Sequence, residues 1–361
     1  MPFGFLLCRK NVLSLCPKNY NIIKSCIQVN QTLWIVRKYD RLYVYLFWIQ
    51  EDKMSDTEKR TISIICYLAV VLMMVLLSIM SDEREVIFPE VGAIAAGMFL
   101  TPHRSWMTNG RRMFALLLVG GVIGMGIVRF LPLPVMAQMI TGYIAALLIQ
   151  SLSGTSFVPM ISALVLPVLL QTRSIWYLIS LVIFSLTIIG IRKLLEKGGI
   201  KDNEEYIPME RSIKPSLTVF RIIMASIMIA IALGTGLRFI AAPPLLVAFT
   251  ELSAHNNRVI RLHPIRVIML MLLSSASGAR LRLLFAGLPA CFTLLAVLIS
   301  TMIFLVVFYN AGPMVPPAGA VMVLAYLVPE KALLIYPLEI LIGIGTFVGV
   351  CVVRERIGVR V

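Results

Sequence analysis

The sequence predicts an all-α, polytopic membrane protein, and three observations carry that prediction. Charged residues make up 14% of the chain against 59% hydrophobic, and the mean hydropathy is +0.91. So few charges cannot build a water-facing surface, whereas a lipid-facing one needs apolar side chains over a backbone that satisfies its own hydrogen bonds. Long apolar runs follow one another from residue 61 to residue 353. The basic residues gather in short clusters between those runs, where the positive-inside rule puts them. That placement assigns the net charge of +15 to membrane topology and argues against a nucleic-acid partner.

The runs divide into about twelve transmembrane segments. In the first half they cover 61–81, 86–101, 112–131, 134–154, 156–171 and 175–195. In the second they cover 217–236, 239–254, 264–285, 288–310, 314–329 and 332–353. The second and fifth segments of each half are short: about 16 residues at ~1.5 Å each reach ~24 Å, less than a ~30 Å hydrocarbon core. All four carry proline at or near the start, at Pro89, Pro159, Pro243-Pro244 and Pro316-Pro317. Proline suits the first turn of a helix, where its missing N–H has no partner to lose.

Two tandem six-helix repeats account for this rhythm. Pro89, Arg112 and Gly124 match Pro243, Arg266 and Gly278 at a constant offset of 154. Val158, Pro159 and Ala163 match Val315, Pro316 and Ala320 at an offset of 157. Each half reads long-short-long twice, and three spans invert the second triplet, the nested logic of many transporters. The expected domains are an N-terminal extension over 1–53, a first repeat over 54–195, a linker over 196–216 and a second repeat over 217–361. The extension is basic, holds no run long enough to span and lacks a signal-peptide core, so it is expected to be non-native or dispensable, with translation starting at Met54.

Lys59-Arg60, the loop with Arg104, Arg111 and Arg112, the linker, the loop with Arg258 and Arg261, and the Arg354–Arg360 tail all fall on one side of this topology. Both termini are therefore expected in the cytoplasm, with the chain a multi-pass protein of the plasma (inner) membrane. The acidic stretch Ser81-Asp82-Glu83-Arg84-Glu85 opens the opposite side.

Three of the proline-started segments place small residues one turn in: Gly92 and Ala93 after Pro89, Ser162 and Ala163 after Pro159, Gly319 and Ala320 after Pro316. Helix starts expose unpaired N–H groups and partial positive charge, and small side chains let a ligand approach them. Pro89, Gly92, Ser162, Pro243, Pro316, Gly319 and Ala320 are thus the candidate substrate-binding residues, facing a shared cavity; tight helix packing is the competing reading of the same pattern. Glu339 reads as a carboxylate well inside the last span, a candidate for proton coupling or gating. Glu251 lies nearer a helix end. Arg112 and Arg266 hold equivalent positions at the cytoplasmic end of the third span of each half, where they anchor topology or attract anions.

Three histidines and six cysteines form no ligand cluster, so no metal or cofactor is expected; Cys66, Cys291 and Cys351 read as packing residues. No nucleotide-binding loop, nucleophile elbow or catalytic carboxylate pair is present, which argues against an enzyme. Ala242-Pro243-Pro244, Ala254-His255-Asn256-Asn257-Arg258 and Pro316-Pro317-Ala318-Gly319-Ala320 resemble HPP-type integral membrane proteins, although Met314-Val315-Pro316-Pro317 stands where that family's His-Pro-Pro signature belongs. The resemblance implies transport of a nitrite-like anion. Thr101-Pro102, Arg111-Arg112 and Gly120-Gly121 with Gly124 resemble more weakly the membrane half of fusaric-acid-resistance-type exporters, which implies organic-acid transport. The expected function is a secondary transporter or channel for a small anionic solute, the alternative a non-transporting membrane scaffold or assembly partner. Expected partners are the lipid bilayer, that solute and a further copy of the chain.

Overall fold

The computed structural model describes residues 55–357 apart from 212, 255 and 256, and the regular structure among them is entirely helical. The expectations for residues 1–53 and for His255-Asn256 lie outside the described residues. The first half contains α1 (Asp56–Ser81), α2 (Glu90–Ala95), α3 (Gly110–Phe130), α4 (Val135–Ser153), α5 (Met160–Leu170) and α6 (Trp176–Lys197). The second half contains α7 (Pro215–Gly234), α8 (Pro243–Leu252), α9 (Arg258–Leu262), α10 (Pro264–Leu284), α11 (Ala290–Asn310), α12 (Pro317–Leu324), α13 (Glu330–Leu333) and α14 (Tyr336–Ile357). A five-residue π turn, Ala96–Leu100, continues α2.

Among the described residues eight helices, α1, α3, α4, α6, α7, α10, α11 and α14, are long and apolar enough to cross a membrane. Between 28% and 44% of each apolar window is buried inside the molecule. The outward remainder is itself apolar, with Val122, Leu186, Ile227 and Val306 among the exposed side chains. A bundle that is hydrophobic all round its outside is solvated by lipid tails, not by water.

The helices α2, α5, α8 and α12 stand apart. They hold 6, 11, 10 and 8 residues, and 11 residues at ~1.5 Å each rise only ~17 Å, about half of a ~30 Å hydrocarbon core. The expected short segments are therefore shorter still as helices, because proline fixes the helix start part-way along each apolar run. A non-helical or 3-10 stretch leads into each: 82–89, 154–159, 235–242 and 311–316. Three of these stretches turn on a glycine in the left-handed region, Gly154 at φ +68, Gly236 at φ +80 and Gly312 at φ +86, a conformation that side chains rarely adopt.

Some contacts in the two halves are alike. In each half the third helix receives the fifth: the Gly124 backbone lies against the Leu164 carbonyl, and Gly278 against the Met322 carbonyl. The sixth helix hydrogen-bonds the fifth through a tyrosine, Tyr177 Oη to Ala163 O and Tyr336 Oη to Val321 O, both 2.7 Å. Each tyrosine also meets a phenylalanine edge-on, Phe88 at 5.9 Å and Phe239 at 5.5 Å between ring centres. Between halves, α4 packs on α7 and α11 on α1, while α2 packs on α12 and α5 on α8. The four short helices thus lie at the seam between halves.

Candidate functional site

At that seam α2 and α12 cross at their first turns with no side chain between them. A Cβ added to Gly92 would lie 2.6 Å from the Gly319 carbonyl oxygen, and one added to Gly319 would lie 2.6 Å from the Gly92 oxygen. Neither distance is tolerable for a real Cβ, so this approach requires glycine on both helices. The expected shared cavity at Gly92 and Gly319 is corrected here: the two glycines fill each other's space, because bare backbones gain most contact by closing completely. Pro89 and Pro316 are the N-caps of α2 and α12, and Pro243 is the first residue of α8. Ala320 is fully buried in α12.

Around the crossing lie polar groups that the surrounding helices leave unanswered. Glu90, the first residue of α2, is 0% exposed, and neither of its carboxyl oxygens has a hydrogen-bond partner. Ser162, the third residue of α5, is likewise fully buried, and its hydroxyl lies beside the Glu90 carboxyl without closing a hydrogen bond. The Tyr67 hydroxyl of α1 reaches the Gly319 end of the crossing and is also without a partner. Buried polar groups are paired in the great majority of cases, and a carboxyl left alone in an apolar core is costly. Glu90 was not singled out in the sequence, although the 86–101 run contains no other carboxylate after its first residues and the rule applied to Glu339 applies to it equally.

Glu339 has a different setting. It falls in the first turn of α14 and not midway along a span, because the helix starts only at Tyr336, with Pro337 in its first turn. One carboxyl oxygen accepts from Phe239 N at 2.6 Å and so ties α14 to the 3-10 turn Arg238–Ala241. Glu251, in the last turn of α8, accepts from the indole Nε1 of Trp106 at 2.7 Å. Trp106 belongs to the loop between α2 and α3; its ring sits on Gly97 and packs edge-on against Phe157 at 5.6 Å. One side chain therefore closes the end of α2 and joins it to the other half. Nothing in the local sequence marks that contact, whose partners are 145 residues apart.

The two candidate arginines serve the loops that lead into short helices. Arg112 Nη1 donates to Ser153 O at 2.7 Å, closing the last turn of α4 beside Gly154, and its guanidinium lies over the Tyr206 ring. Arg266 Nη1 likewise lies beside a glycine turn, 3.0 Å from where a Cβ on Gly312 would stand. Cys351 is buried and Cys66 half-buried, as packing residues are, but Cys291 is exposed on the first turn of α11, which corrects the expectation for that residue.

The linker is fastened over the end of the first half. Arg192 is held by Glu196 at 2.7 Å and donates to Met98 O and Asp202 O, and Arg104 shares Glu196 at 2.6 Å. Lys201 donates to Thr101 O at 2.8 Å, and burial, with the nearby Arg192 charge, lowers its amine to about 8. A cleft of about 320 Å³ opens there, lined by Arg104, Arg192, Glu196 and Tyr206 among others. A second, of about 210 Å³, lies between Arg84, Arg282 and Glu330. Neither cleft is lined by Glu90, Ser162 or Gly319. Among the described residues no group of three or more His, Cys, Asp or Glu is placed to hold a metal ion.

Compared with known proteins, the chain matches no family model, no curated protein and no solved structure. Its class follows from its own helices: it is a polytopic α-helical membrane protein.

Proposed function

We propose that the chain is a secondary transporter or channel for a small anionic solute, nitrite-like or an organic acid, and that it belongs with the HPP-type membrane proteins it resembles. On this reading it makes twelve passes in two six-helix repeats and sits in the plasma (inner) membrane with both termini and the linker in the cytoplasm. The equivalent packing of α3 on α5 and α10 on α12, and of the two tyrosines, supports the repeat. The ties of the linker to the 101–109 loop, and of Asn257 N to Glu355, support a common side for the basic segments.

The observation that carries the transport reading is the buried pair Glu90 and Ser162, with the partnerless Tyr67 hydroxyl at the Gly319 end of the crossing, where half-length helices meet. Discontinuous helices that begin near mid-membrane are how secondary transporters present polar groups to a solute. A bundle built only for support has no use for a lone carboxyl there. Uptake by the purified chain in proteoliposomes, screened with nitrite, nitrate, formate and aromatic acids, tests the proposal: saturable uptake above empty liposomes is expected for at least one solute. A folded, reconstituted chain that moves none of them favours the scaffold reading, for which the closed Gly92–Gly319 contact speaks.

A further inference from the structure

Transport of an anion past Glu90 raises a problem of charge. An ionised carboxylate and an anion repel strongly where the dielectric is low, and among the described residues the groups that act on Glu90 include no cation. The groups that face Glu90 can be enumerated by element. Helix α12, packed on α2, brings no titratable side chain, and neither does the π turn. Helix α1 brings Tyr67, and α6 brings Tyr177, whose hydroxyl is already donated to Ala163 O. Helix α5 brings Ser162, and α8 brings Glu251 within electrostatic range but occupied by Trp106. All of these are hydroxyls or a second acid. None neutralises a carboxylate.

The geometry points to Glu90 as the proton-coupling residue, taking up a proton when an anion occupies the seam and releasing it when the seam opens to the other side. This inference rests on the transport reading and adds a co-substrate to it. The step is a plain transfer: an O–H bond forms at Glu90 as one breaks in hydronium from the side the seam faces, and the reverse restores the carboxylate to water. The neutral acid removes the repulsion, so solute and proton each favour the other's binding, and the coupling is reciprocal. Ser162 is a positioning residue here, its hydroxyl free to accept from the acid or donate to the carboxylate. Glu339, tied to Phe239 N, is left with a structural role.

Infrared difference spectroscopy on the reconstituted full-length chain reads this directly and needs no solute. Titrated from acidic to alkaline pH, the wild type is expected to lose the C=O stretching band of a buried, protonated carboxyl. E90Q is expected to lose a component of that band that both E339Q and E251Q retain. A band that persists unchanged in E90Q overturns the inference, and so does a wild type in which no such band titrates. If E90Q does not fold, E90D must shift the band or its midpoint, and an unmoved band is again fatal. Failure of uptake with a titrating Glu90 band would count against the transport reading alone, whereas uptake without the band would count against the inference alone.

Discussion

Single residues at the seam are under opposite demands, and substitutions there separate them. Gly92 and Gly319 serve packing: the Cβ of alanine at either position falls 2.6 Å from a backbone oxygen that cannot swing away. G319A is expected to destabilise the chain by about 1–3 kcal/mol, the usual cost of overpacking, seen as a lower Tm in detergent. Gly126, in the middle of α3, has nothing within 4 Å of its added Cβ, so G126A is expected to be neutral or to stabilise by up to about 1 kcal/mol through helix propensity. Equal Tm values for the two variants would show that the glycine contact is not closed in solution. Glu90 and Ser162 answer to the other demand, since nothing in packing requires a carboxyl beside a hydroxyl with neither bonded. Two unit charges 4 Å apart at an effective dielectric of 20 repel by ~4 kcal/mol. On the proposed transport reading, that magnitude would let the protonation state of Glu90 decide whether an anion is admitted.

Among elements, the short helices are positioned by long-range ties more than by their own length. Six to eleven residues make a marginal helix alone, so proline starts and tertiary contacts must fix them. The contact of Trp106 with Glu251 does this for α2 and α8 together, at 2.7 Å. W106F removes both the benzo-ring atoms that meet Gly97 and the N–H donor, leaving a largely desolvated carboxyl unpaired at a cost of about 1–3 kcal/mol before any loss of packing. E251Q alone should be milder, and the pair in a double-mutant cycle should show a coupling of about 0.5–3 kcal/mol in chemical or thermal unfolding. Additive effects would mean that the indole and the carboxyl do not act together. Elements were also where the sequence was most legible. Apolar runs marked the eight long helices and prolines marked the starts of the short ones, because both signals are local. Glu339 was misplaced in depth, since the break between α13 and α14 comes within an unbroken apolar stretch. Trp106, Arg192 and Arg112 were opaque for another reason: their partners lie 145, 94 and 41 residues away.

At the scale of the whole molecule, the membrane class rests on eight long apolar helices with apolar exteriors. The proposed repeat, expected from six matched positions in the sequence, is supported by similar contacts at Gly124 and Gly278 and at Tyr177 and Tyr336. What neither repeat predicts is the asymmetry: the offsets that relate the halves put Pro244 opposite Glu90 and Gly319 opposite Ser162, so the polar pair belongs to the first half only. On the proposed reading, the two repeats would move around a fixed site that contains this pair. Such a site must open in turn to each face. The most direct measurement is thiol labelling of S162C, in a chain whose own cysteines are replaced, by a membrane-impermeant methanethiosulfonate added to either side of oriented vesicles. Ser162 is 0% exposed in this closed arrangement. The account predicts time-dependent labelling from both sides, slowed by the transported anion. A folded S162C chain that labels from neither side would contradict it and leave a closed, supporting bundle.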